Sequence, residues 1–294
     1  NSDFDIATDP VIGIRTAAVA AQAGLPIAPS AMKILKGFYG QGLGLLPNPW
    51  PRSARENLIQ LIGAGQPMVR IWEGLDQEEI IFHWLPEWRA VRSLPQRNAL
   101  HRHTVDRHMV ETAVFAAAQT RKVHRPDLLL FAALFHDIGK GTQEDHSERG
   151  EALIEPLARR IGFSESDVST LKLLVKHHLL LSATSTRRDL DDPATVASVV
   201  AVIPDLQTLE LLHALSIADG QATGNAAWSQ WKEKLLNDLV TRVAGAITDN
   251  TIAVLPEFSE EQLNYAETGK LRVKIEERDP DFAIEIIAPD MPGL

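Results

Sequence analysis

The stretch "PDLLLFAALFHDIGKG", residues 126–141, constrains this chain more than any other. Its apolar run reads as a helix buried in a core, because no polar stripe is left over to face water. That helix runs directly into His136 and Asp137. Burying an ionisable pair at the end of a greasy helix is costly unless something compensates, and a bound cation is one of the few things that can. The stretch therefore calls for partner ligands elsewhere in the chain.

The surrounding pattern is helical. Residues 9–36 read as two alanine-rich helices broken at GLPIAP, and a Pro-rich loop follows. RENLIQLIGAG and QEEIIFHWLPEW show apolar residues at helical spacing and read as short helices, separated by a stretch that Pro67 and Gly74 break. From 101 to 247 helical patterning dominates, in segments that include VDRHMVETAVFAAAQTR, SESDVSTLKLLVKHHLLL and DLQTLELLHALSIADG. Ser164 and Asp205 stand where N-caps belong, and Gly139, Gly162 and Gly220 where helices stop. After Asp249 the pattern changes, and alternation in KLRVKIEERDPDFAIEII predicts a β-containing module from about Leu271. The expected fold is mainly α: a helical bundle behind a helical connector, ending in the opening of an α+β module. The expected boundaries are 1–96, 97–247 and 248–294.

Four separated places put metal-type ligands on these apolar helices: His108, the His136–Asp137 pair, the His177–His178 pair and Asp219. Asp219 is informative because LLHALSIADG would otherwise be a plain core helix, and a carboxylate there needs a cation or several donors. His146, at the start of the next helix in DHSERG, is a fifth candidate. With no cysteine in the chain, thiolate sites and disulfides are excluded, and imidazole plus carboxylate suits a divalent ion such as Mn²⁺, Mg²⁺, Fe²⁺ or Zn²⁺. Adjacent histidines point about 100° apart on a helix, so His177 and His178 both reach one site only if the helix ends or distorts there. Lys140, one turn after His136, would face the same side and offer its charge to an anionic group. His83, His101, His124 and His213 read as surface or packing residues, and His103 as a residue at the rim of the site. Trp72, Trp84 and Trp88 read as packing anchors. Arg187 and Arg188 fit either a ligand contact, to a phosphate or to a base, or a charged loop with local ion pairs.

A net charge of -10 argues against nucleic acid or an anionic membrane as the main partner and points to small ligands or proteins. No apolar run approaches the roughly 20 residues of a membrane span. That and the absence of cysteine suit a cytoplasmic home. The chain opens without methionine and closes at APDMPGL, which reads as a piece of something longer.

The order His108, His136–Asp137, Asp219 resembles the signature of the HD-domain metal-dependent phosphohydrolases. RHTVDRH, ALFHDIGKG, DHSERG and VKHHLLL resemble the HD domain of the bifunctional uridylyltransferase/uridylyl-removing enzymes. The likeness extends to AAVAAQAGLPIAPSA, RRDLDDPATVASVV and ELLHALSIADGQATG, with the actinobacterial form the nearest. FAIEIIAPDMPGL resembles the first strand and ligand-binding turn of an ACT domain, which in that family senses glutamine. The resemblance implies removal of UMP from a tyrosine of the uridylylated PII nitrogen signal protein, with one or two divalent ions. His108, His136, Asp137 and Asp219 would hold the first ion. Asp137 would bridge to a second completed by His146 with His177 and His178. Asp3 and Asp5 have the Asp-x-Asp shape of the family's nucleotidyltransferase, but no Gly-Ser motif precedes them, so addition of UMP is not expected here. Two other readings stay open: hydrolysis of a free nucleotide or alarmone, and a metal-bearing regulatory module without turnover.

Overall fold

The computed structural model describes residues 9–96, 103–224, 227–249, 259–278 and 281–288. Asp3, Asp5, His101, the segment TIAVLPEF and the closing residues 289–294 lie outside the described residues. The chain forms two compact units, Asn1–Ile252 and Ala253–Leu294.

The first unit is helical. It runs through α1 (Ile12–Ala23), α2 (Pro29–Gly40), α3 (Arg52–Ile62), α4 (Gln66–Gln77) and the single turn α5 (Ile81–Trp84). It continues with α6 (Val105–Ala117), α7 (Pro126–Phe135), α8 (His146–Ile161), α9 (Glu165–Lys176) and α10 (Leu180–Arg187). α11 (Pro193–Val200), α12 (Leu206–Thr223) and α13 (Gln230–Asp249) complete it.

The apolar helix α7 is the hub, and every residue from Leu128 to Phe135 is buried. It packs against α3, α6, α9 and α12. An aromatic chain ties the N-terminal helices to it: Trp72 meets Trp88 edge-on at 5.1 Å, Trp88 meets Phe135 at 6.3 Å, and Phe131 lies 4.8 Å from Phe135 and 4.9 Å from Phe163. Edge-on rings at such distances add to the burial term because ring edges and faces carry opposite partial charge.

The helix ends follow local chemistry. Ser164 closes a capping box with Asp167, and Asp205 accepts from the Thr208 amide at 2.6 Å. Gly24 and Gly162 sit in the left-handed region that ends α1 and α8. Three expectations are corrected. Gly220 does not stop α12, which runs on to Thr223; the glycine is there because Trp228 occupies the space a β-carbon would need. SESDVSTLKLLVKHHLLL is not one helix, since α9 ends at Lys176 and α10 begins at Leu180. α4, with Pro67 in its first turn where a proline fits without loss, was not foreseen.

The second unit holds α14 (Glu260–Glu267), capped by Ser259 and Gln262, and an antiparallel pair, β1 (Arg272–Arg278) with β2 (Asp281–Ile287). β1 therefore begins where the alternation placed it, and α14 precedes it in the same unit. Val273 pairs with Ile286 and Ile275 with Ile284. α14 is held through polar contacts, Gln262 donating to Glu285 at 2.6 Å and Arg272 pairing with Glu261 at 3.0 Å. Among the described residues no helix is long and apolar enough to cross a membrane.

Candidate metal centre

Where α7 ends, the chain turns through His136 to Gly139 and reverses into α8. Two glycines make this reversal tight. A β-carbon on Gly139 would lie 2.1 Å from the His146 carbonyl oxygen, and one on Gly150 would lie 2.8 Å from Val175 Cγ1. The start of α8 is thereby pressed against the turn and against α9. Asp145 caps α8 by accepting from the Ser147 and Glu148 amides, and those bonds hold its carboxyl below the ordinary range. His146, the first residue of α8, is left facing the turn.

Asp137 sits at the centre, buried, with its two oxygens facing different histidines. Oδ2 lies 3.4 Å from His136 Nε2 and 3.8 Å from His108 Nε2, on the side where Asp219 Oδ1 stands 2.9 Å from His108 Nε2 and 3.6 Å from His136 Nε2. Oδ1 lies 3.6 Å from His178 Nε2 and 3.8 Å from His146 Nε2. Two groups able to hold an ion result: His108, His136 and Asp219; and Asp137, His146 and His178.

The donor chemistry fits divalent ions. His136 Nδ1 donates to the Ala133 carbonyl at 2.9 Å, and His178 Nδ1 to the Val175 carbonyl at 2.7 Å. Each ring is thus fixed in the tautomer that turns an Nε2 lone pair inward, the arrangement that orients imidazole ligands. The Nε2 atoms of His136 and His108 stand 3.3 Å apart. Two ligand atoms each about 2.1 Å from a common ion lie roughly 3.0–3.6 Å apart, close to the separations here. Asp137 Oδ1 is buried with no hydrogen-bond partner, a costly state that a cation relieves.

The electrostatics point the same way. Burial alone would raise Asp219, but hydrogen bonds from His108 and His136 hold it far below the ordinary carboxylate range. Asp137 is likewise held down against its burial, by His136 first and then by Lys140 and His178. Burial pulls His136 down, yet Asp137 and Asp219 carry it up to about 10. His178 is pushed down to about 4 by burial and by its neighbour His136. The two carboxylates and the histidines around them thus each bias the others toward opposite charge, the field in which a cation is held.

The other predicted residues fall as follows. Lys140 reaches the cavity but spends its charge on Asp137 Oδ2, at 2.6 Å, and donates to Gln96 Oε1 at 2.9 Å. His177 is not brought into either group. It caps the end of α9, where burial and then Lys176 lower its pKa, and the break in the helix turns only His178 inward. His83 stacks on Tyr39, His124 pairs with Glu210, and His213 meets Asn237. Arg187 ends α10 and lines the cavity, and the ion pair of the following loop is made by Asp191 with Arg242. The cavity has a volume of about 860 Å³, and Asp137, Asp219 and Trp228 all line it. Gly150 and Trp228 were not singled out from the sequence. A glycine inside the helical pattern of residues 146–161 was the signal for the first; for the second there was none before Gly220 was seen to continue its helix.

Residues 105–219 match the HD domain family. Over 239 residues, 81% of this chain, the sequence is 54% identical to a bifunctional uridylyltransferase/uridylyl-removing enzyme of Streptomyces coelicolor, covering 28% of that protein. Relatives with the same name in Mycobacterium tuberculosis and Corynebacterium glutamicum are 43% identical over 97% of the chain and 33% identical over 82% of it, covering 35% and 34% of their own lengths. The chain spans about a third of the length of the curated relatives it matches.

Proposed function

The chain carries an HD domain and is related along most of its length to uridylyltransferase/uridylyl-removing enzymes, and from that premise we propose that its histidine–aspartate centre removes UMP from the uridylylated PII signal protein. The bond broken is the phosphodiester between the nucleotide and a tyrosine hydroxyl. The observation that carries this reading is the meeting of two histidine–carboxylate groups at Asp137, whose unpartnered Oδ1 faces the second of them.

His108, His136 and Asp219 would hold one divalent ion, and His146 and His178 a second, with Asp137 between them. Mn²⁺, Mg²⁺, Fe²⁺ and Zn²⁺ all suit this donor set. A divalent ion bound there supplies charge against the phosphoryl oxygens and makes a water acidic enough to attack at neutral pH. The chain's own groups do the rest. The Ala133 and Val175 carbonyls keep the His136 and His178 rings turned inward. Lys140, which stands beside Asp137 and lines the cavity, would meet a phosphoryl oxygen. Residues 97–247 make up the hydrolase domain in this reading, 1–96 its connector, and 248–294 a linker and the start of an ACT domain through which glutamine acts.

The test is release of UMP from uridylylated PII protein by this chain, with and without Mn²⁺. Metal-dependent release is expected, and Asp137→Ala lowers it by more than about a hundredfold while the helical circular dichroism stays unchanged. Release by the variant at the wild-type rate would sink the reading.

A further inference from the structure

The cavity is larger than a phosphoryl group needs, and at about 860 Å³ it is of the size that takes a whole small-molecule ligand. One wall is formed by residues of α10, α12 and the segment entering α13. Trp228 stands on that wall. Among the described residues that line the cavity it is the one aromatic side chain besides His146 and His178.

Its position is bound to the metal centre. The six-membered ring lies over Gly220, the residue after Asp219, so that a β-carbon there would fall 2.2 Å from Cε3 and 2.7 Å from Cζ3. Glycine weakens a helix interior, so α12 gives up local stability to seat this ring. The segment that carries the ring is anchored as well. The Ala227 and Trp228 amides donate to the Gly224 carbonyl, and Lys232 Nζ donates to the Ala227 carbonyl at 2.7 Å. Yet Trp228 is only half-buried, and its remaining surface borders the cavity. Thr223, one turn beyond Asp219, lines the same wall. Its hydroxyl donates to the Asp219 carbonyl at 3.0 Å, which leaves the oxygen as an acceptor.

We infer that Trp228 is the nucleobase platform of this site, stacking the uracil of the uridylyl group while the phosphate lies at the metal centre. The inference rests on the uridylyl-removing reading. A pyrimidine carries no charge at neutral pH, so an acidic protein holds it through a ring face and hydrogen bonds, and the ring N–H of uracil needs an acceptor of the kind Thr223 offers. Gly220 acts as a positioning residue through the ring it admits.

Calorimetric titration of the full chain, loaded with Mn²⁺, with UMP and with ribose 5-phosphate tests this. The wild type is expected to bind UMP more tightly than the base-free ligand. Trp228→Leu is expected to reduce that preference about tenfold and Trp228→Phe to keep most of it. Should Trp228→Leu not fold by circular dichroism, Gly220→Ala displaces the ring while retaining it, with the same expected loss. A preference unchanged in the Leu or Ala variant, or a wild type that does not distinguish the two ligands, overturns the platform. A preference that depends on Trp228 in a chain that leaves uridylylated PII intact keeps the platform and removes only the protein substrate.

Discussion

Helix α7 and the β1–β2 pair are both rich in large apolar side chains, and they meet opposite fates. In α7 Phe131 is wholly buried, along with every residue from Leu128 to Phe135. In the strands Val273 is 53% exposed, Ile275 64%, and Ile284 and Ile286 61% each. They share one face of the pair, while α14 reaches Glu285 and Arg272 on the other through polar contacts. Apolar content therefore does not make a core by itself. What matters is how many elements the chain brings around a segment: α7 has neighbours on several sides, and a two-stranded ribbon cannot cover itself.

The sharpest way to break this contrast is to shorten a side chain in each region. Phe131→Ala removes a ring packed between Phe135 and Phe163 and is expected to cost about 3–5 kcal/mol in urea denaturation followed by helical circular dichroism. A cost below about 1 kcal/mol would mean that the aromatic chain does not hold the hub together.

A second contrast is between the ionisable end of α7 and its apolar body. A divalent ion at His136 competes with a proton for the same ring nitrogen, and Asp137 and Asp219 favour that proton, carrying the pKa up to about 10 against burial. Raising the pH weakens that competition and so favours the metal. Affinity for Mn²⁺ is expected to rise about tenfold per pH unit between about pH 6 and 8. A flat dependence in a calorimetric titration would remove His136 from the ligand set.

The smallest effect belongs to the strands. Ile284→Ala is expected to change stability by less than about 0.5 kcal/mol, because its side chain already meets water. A larger loss in denaturation of the same chain would show that the apolar face is covered in solution.

Much of the bundle was legible because its signals are local. Ser164, Asp205 and Gly162 cap helices where their side chains or backbone freedom place them. The ligand types were legible too, since ionisable residues inside apolar helices stand out against their surroundings. Gly220 was misread because a glycine's local meaning is a helix end, whereas here Trp228, eight residues on, fills the space above it. α4 was passed over because Pro67 and Gly74 read as breakers, although the proline sits in the first turn.

By itself the sequence determined that α7 would be buried and that its charged end would need partners, because hydrophobic run length and the cost of burying charge are properties of the residues alone. Only the tertiary structure decided which partners arrive. Whether His177 or His178 turns inward depends on where α9 breaks, and whether His146 reaches Asp137 depends on the contact of Gly139 with α8. Both are matters of how neighbouring segments fold back on one another, and spacing along the chain carries no distance across it.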